Sequence, residues 1–341
     1  MTAALISILL VEVPSGVIAD QIGRKKVVVT GLILGAAEMA LIALWPAFQG
    51  FFIGAIIGGA GWALVSGADH SLIYDSLKNP KKESKKIFGK EKAIRYIAIV
   101  LAALIGAPIY AQNQELTFYL SSASFLLAAV AFSTITENHT PIKSTFATQW
   151  QHLKESFQFS FKSRKLLWFI FFGIFSGFSV YMFHDLLRSP VLEGIGYPIA
   201  TLGAVVAVMA GSRAIISYHT ESIENFLGER TTRNILLFGP APLFVLTAFF
   251  YNKFALVFLI LLYWIWSLQE VVVRSSTHEH MTKTQRATLS SIQGFYDSII
   301  AGLGFLLMGL LVTATNLPTA LSILGIISFI SGIILYLTYN E

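Results

Sequence analysis

The sequence predicts an all-α integral membrane protein of about eleven transmembrane helices. Three observations carry that reading. The 341 residues are 55% hydrophobic but only 13% charged, about half the charge a soluble domain uses to coat itself. The apolar residues fall into successive runs of about 20, the length that crosses a bilayer as a helix. Of the 24 Lys and Arg, all but Arg188 and Lys253 fall in one alternating set of connecting segments, the bias that marks cytoplasmic loops.

The spans read as 2–19, 26–46, 50–75, 94–111, 116–135, 164–186, 196–216, 233–251, 254–274, 287–312 and 318–338. The first begins next to Met1 and is followed by many others, so it is not a cleaved signal peptide. The run 50–75 is long enough for one tilted helix. The Lys78–Lys92 stretch reads as a solvated loop touching lipid headgroups. The longest polar break, 136–163, contains Thr140, Pro141, Lys143 and Lys154. It divides the chain into a bundle of five helices over 1–135, a cytoplasmic loop over 136–163 and a bundle of six helices over 164–341. The charge rule places the 20–26 loop inside, hence the N-terminus outside and the C-terminus in the cytoplasm. The sequon at Asn138 then faces the cytoplasm and stays unmodified.

Several functions are set aside on composition and motif. The net charge of +5 resides in loops between spans, so orientation accounts for it and nucleic acid is not an expected partner. The chain has no cysteine, which removes disulfides and thiol chemistry. There is no phosphate-binding loop, nucleophile elbow or metalloprotease pair, and His278-Glu279-His280 is too sparse for a metal site. Neither an enzyme nor a cofactor nor a bound metal is expected.

Residues Gly16-Val17-Ile18-Ala19-Asp20-Gln21-Ile22-Gly23-Arg24-Lys25-Lys26 resemble the G-x-x-x-D-x-x-G-R-[KR] signature of the major facilitator superfamily. Glu12-Val13-Pro14-Ser15 is a common lead-in to it. Gly16 allows two helices to approach, Asp20 can accept hydrogen bonds at a helix end, and Gly23 makes a tight turn. The resemblance implies that Gly16, Asp20, Gly23, Arg24 and Lys25 form a cytoplasmic latch of the outward-facing state. A degraded copy, Asn225-Phe226-Leu227-Gly228-Glu229-Arg230, stands at the corresponding place in the second half. The family has twelve helices in two pseudo-symmetric bundles around a cavity. Numbering 2–19 as its second helix gives every later run a counterpart, so the first family helix is expected to be missing. Gly59-Ala60-Gly61, Gly106-Ala107-Pro108 and Arg286–Ser290 echo weaker family patterns. Ser66–Asp69 with Tyr74-Asp75 resembles a drug-efflux-like bacterial subgroup.

Ionisable residues inside spans cost ~2.5–3.5 kcal/mol by insertion scales and so mark pathways. The deepest are Glu12, Glu38, Asp69, Glu270 and Asp297. Trp62 and Asp69 are seven residues apart and share a helix face. Trp266, Gln269 and Glu270, like Gln293, Tyr296 and Asp297, follow i, i+3, i+4. These aromatic-and-acid stripes suit an amphipathic or cationic solute, although ordinary packing gives the same spacing. Glu270 and Asp297 lie toward cytoplasmic helix ends, where pairing with Arg274 or the 16–26 loop is the alternative. Asp75 fits a latch partner. His184 and Asp185 read as a solvated outer mouth, since helix neighbours point apart. The candidate substrate and proton pathway is thus Glu12, Trp62, Asp69, Glu270, Gln293, Tyr296 and Asp297.

The function these readings imply is proton-coupled export of small hydrophobic or cationic compounds by alternating access. The partners are a small-molecule substrate, protons and membrane lipid, and a monomer in the inner or plasma membrane is expected. Two alternatives stay open: an uptake permease for a small polar solute, and a truncated membrane protein that does not transport.

Overall fold

The computed structural model describes residues 2–75, 80–137, 151, 154, 164–279 and 283–339. The chain divides into two compact units, Met1–Lys154 and Glu155–Glu341. Among the described residues there is no strand. Six helices among these residues are long and apolar enough to cross a membrane, or seven if one bent pair forms a single span. In lipid the backbone must satisfy its own hydrogen bonds, which is why such runs become helices.

The first unit contains α1 (Thr2–Ile22), α2 (Arg24–Leu44), α3 (Phe48–Asp75), α4 (Pro80–Gln112) and α5 (Gln114–Ser133). The long run over 50–75 is indeed one helix. The basic stretch read as a loop is different: from Pro80 it is helical and continuous with the span. Proline suits the first helical position, and Lys and Glu are good helix formers, so the helix extends beyond the apolar run.

Helix α2 packs on α3 and α5, and α1 packs on α3. The α2–α3 crossing is glycine on glycine. A Cβ on Gly31 would lie 2.6 Å from the Gly61 carbonyl oxygen, and one on Gly61 2.7 Å from that of Gly31. Small residues permit this approach where lipid offers no hydrophobic drive between helices. Hydroxyls supply polar ties: Ser7 Oγ donates to the Ile56 carbonyl at 2.7 Å, and Ser122 Oγ to that of Ala36 at 2.8 Å. Val27, Val28 and Leu64 fill the space beneath.

The second unit contains α6 (Arg164–Met182), a π-helical turn (Phe183–Leu187), α7 (Arg188–Gly194), α8 (Ile199–Tyr218) and α9 (Thr220–Leu227). It continues with α10 (Glu229–Phe238), α11 (Pro240–Phe249), α12 (Leu256–Glu279), α13 (Lys283–Ala314) and α14 (Leu317–Tyr339). The single span read over 233–251 is instead α10 and α11, bent by 40°. Pro240 and Pro242 lack amide donors there, and Gly239 makes room for the side chain of Ile265, so the hydrogen-bond ladder breaks at that point. Helix α12 packs on α8, α6 and α11, while α14 covers α6, α10 and α11. Phe172, Leu236, Leu237, Leu268 and Leu335 form their shared core.

Candidate functional site

The cytoplasmic loop motif is built on one glycine. Gly23 has φ 100° and ψ 144° and separates α1 from α2, a backbone region open essentially to glycine alone. The turn leaves the first amides of α2 pointing outward. Glu137, just past α5, takes them: the Arg24 N–H donates to Oε1 at 2.9 Å and the Lys25 N–H to Oε2 at 3.0 Å. A carboxylate here also meets the positive end of the helix dipole. Gly16 and Asp20 lie on α1, but their side chains fall outside the described residues. The degraded copy adopts the same geometry, since Gly228, at φ 81° and ψ 152°, separates α9 from α10. The two signatures therefore share a backbone turn as well as a spacing.

In the membrane part of the second unit, one face of α12 carries a polar column. Tyr263, Trp266 and Glu270 follow i, i+3, i+7 and share a face. Arg213 of α8 reaches Glu270, its Nη2 2.5 Å from Oε2. The same guanidinium lies 3.9 Å from the centre of the Trp266 ring, a cation–π contact. Ser267 Oγ donates to the Arg213 carbonyl at 3.0 Å and so joins α12 to α8. Arg213, which sequence counting grouped with cytoplasmic charges, is thus a helical residue directed at a membrane-embedded ring.

The upper part of the column comes from the π-turn. His184 packs on Trp266 with ring centres 4.9 Å apart and on Tyr263 at 5.6 Å. Its Nδ1 lies 2.5 Å from Asp185 Oδ1, and Arg188 Nη1 lies 3.1 Å from its Nε2. This corrects the expectation that His184 and Asp185 point apart. A π-turn changes the angle between successive residues, and such turns recur at functional sites. The imidazole is gripped on both edges and is no loose group in a solvated mouth.

The stripe of Trp266, Gln269 and Glu270 splits in the structure. Gln269 is buried, donates to Ser176 Oγ at 2.8 Å and lies against Gly177. Glu270 is exposed and pairs with Arg213; the side chain of Arg274, the alternative partner, lies outside the described residues. In the first unit, the Glu38 carboxylate of α2 covers Gly58 of α3 so closely that a Cβ there would meet its oxygens. Trp62 is 61% exposed and Glu12 is exposed on α1. Asp69 lies on α3 and Gln293, Tyr296 and Asp297 on α13, with side chains outside the described residues. Among the described residues, no cluster of His, Asp or Glu could hold a metal ion.

The column can do three things. It can hold opposite charges side by side inside a span, place a cation over a ring, and exchange partners at one exposed carboxylate. Sequence reasoning named Glu270 and set the aromatic next to it. It missed Arg213 and Arg188, whose place among helix-end charges disguised them.

Residues 1–268 match the family model described as Major Facilitator Superfamily. The Quinolone resistance protein NorA of Staphylococcus aureus strain N315 is 29% identical over 130 residues, covering 38% of this chain and 32% of that protein. The match thus spans about a third of the length of these curated relatives. In overall fold the chain resembles the nucleoside transporter NupG, with a TM-score of 0.75 at 15% identity, covering 100% of this chain and 89% of that one. It also resembles a D-xylose–proton symporter, with a TM-score of 0.73 at 14% identity, covering 98% and 85%.

Proposed function

Because this chain belongs to the major facilitator superfamily, we propose that it is a secondary active transporter, exporting small hydrophobic or cationic compounds in exchange for protons by alternating access. The observation that carries the reading is the Arg213–Glu270 pair on Trp266. An ion pair on membrane-spanning helices is expensive to maintain and marks a pathway for solute or ions. Glu270, half-exposed beside Arg213, is the acid that would exchange a proton for a cationic group. Asp69, on a helix with Trp62, is the second acid proposed, with Glu12, Gln293, Tyr296 and Asp297 along the same route. The export direction follows the drug-resistance relative. The resemblance implies that Gly23, Arg24 and Lys25 latch the cytoplasmic side, together with Gly16 and Asp20.

Uptake of a small polar solute is the second reading, and one observation favours it. The column of His184, Asp185, Arg188, Arg213 and Glu270 is more polar than a site for purely apolar compounds requires. Solute-driven proton movement in proteoliposomes separates the two. Lipophilic cations, sugars and nucleosides are offered to the wild type and to Glu270→Gln and Asp69→Asn. Proton flux with a lipophilic cation, lost in either variant, supports export. Flux with sugars or nucleosides alone transfers the assignment to uptake. No flux with any solute, from folded and inserted protein, removes the transport reading.

A further inference from the structure

We infer that the Arg213–Glu270 pair is a template for a zwitterion, so that the solutes of this site carry a carboxylate and an amine on a ring-bearing body. This rests on the transport reading above and adds the substrate's charge pattern.

The argument begins with what happens when the pair opens. Separating the two groups leaves each charge without its counter-charge, and the loss falls hardest on Arg213, the less exposed partner. A neutral solute cannot enter between the two groups without incurring that loss. A simple cation satisfies Glu270 and strands Arg213, whereas a simple anion does the reverse. A zwitterion replaces the pair charge for charge: its carboxylate takes the guanidinium and its amine takes the carboxylate.

The geometry fits an exchange. The side chain of Arg213 is 21% exposed and that of Glu270 is 52% exposed, so the acid is the more open partner. Arg213 is seated by Trp266 at 3.9 Å, and its carbonyl accepts a hydrogen bond from Ser267. Among the described residues, the hydrogen bond to Glu270 engages one nitrogen of its fork through Nη2, while a guanidinium suits bidentate binding of a carboxylate. The partly exposed ring of Trp266 adjoins both charges and offers a contact to the body of the solute.

The remaining charged groups of the column contact His184. Asp185 lies against one edge of His184 and Arg188 against the other, with the buried Tyr263 hydroxyl beside Arg188. Protons enter through the same logic: a proton on Glu270 competes with the amine of the solute, the competition that an exchange of solute for protons requires.

The test uses three probes of one shape: 4-(aminomethyl)benzoate, 4-methylbenzoate and 4-methylbenzylammonium. Binding to the purified full-length chain is measured by titration calorimetry, and movement by counterflow in proteoliposomes. The wild type is expected to bind the zwitterion at least tenfold more tightly than either singly charged analogue. Glu270→Gln is expected to prefer the benzoate and Arg213→Gln the benzylammonium, each losing the tenfold margin. Equal binding of all three probes by the wild type overturns the template, and that comparison needs no variant to fold. Movement of lipophilic cations without zwitterion preference overturns the template and leaves export intact. Zwitterion preference without movement of any solute supports the template and overturns transport.

Discussion

At the scale of single residues, the second unit is governed by contacts too tight to alter. Gly194 ends α7 directly beneath Tyr251, so that a Cβ there would collide with the phenol oxygen. Gly194→Ala is expected to lower the melting temperature in detergent, with Tyr251→Phe in the same background restoring part of the loss. The Tyr251 hydroxyl is buried with no hydrogen-bond partner among the described residues. Burial in the turn between α11 and α12 pushes its phenol above the ordinary value of 10.0. A raised folded value means that stability is complete below the unfolded value and declines as pH rises toward the folded one. Wild type should therefore lose more stability than Tyr251→Phe when melts are compared just below and well above that value. At neutral pH the Phe variant should be as stable or more so, since it removes an unsatisfied group. Equal alkaline losses in both proteins would refute the assignment.

At the scale of elements, two helix starts depend on glycines that the sequence motif named and on an acid it did not. Gly23 and Gly228 each occupy a backbone region closed to other residues, so Gly23→Ala should cost about 1–3 kcal/mol. Glu137→Ala removes the cap from α2 and should cost about 0.5–2 kcal/mol. Glu137→Gln, which keeps an acceptor but not the charge, should fall between. Amide exchange at Arg24 and Lys25 reads the effect, and unchanged protection in Glu137→Ala would sink it. The difference in legibility is physical. Gly23 is visible because a tight turn restricts residue type locally. Glu137 is not, because it follows α5 at a distance of 113 residues from Arg24, and nothing near it in sequence marks a cap. Similarly, apolar runs announce α2, α5, α8 and α14, but the bend between α10 and α11 depends on two prolines inside a run that otherwise reads as continuous. His184 and Asp185 were judged on a regular helical period, and the π-turn does not keep that period. Arg213 was legible as a charge but not as a membrane residue, since it lies within two turns of the end of α8.

At the scale of the whole molecule, the charge asymmetry predicts an orientation that the missing cysteines make easy to check. With no native thiol, a single introduced cysteine reports its own side of the membrane. Lys253→Cys, in the short connection between α11 and α12, should react in intact cells with a membrane-impermeant maleimide. Lys26→Cys and Arg230→Cys should react only after permeabilisation. Labelling of Lys26→Cys from outside would invert the proposed topology. The double occurrence of the glycine turn, at Gly23 and Gly228, places the two reporters on corresponding turns of the two units. Their agreement is therefore a test of the internal repeat as well as of the orientation.

The π-turn at Phe183–Leu187 has a consequence for how this chain tolerates changes in length. A π-turn is an α-helix carrying one residue more than its ladder needs. Deleting Leu186 should heal the ladder into continuous α-helix instead of breaking it. The turn already absorbs that residue, so the helix on either side of the cut should keep its facing, and what is lost is the local widening that lets Asp185 meet His184. A single lost codon would thus yield a chain that inserts and folds with the Arg213–Glu270 end of its polar column intact and the π-turn end altered.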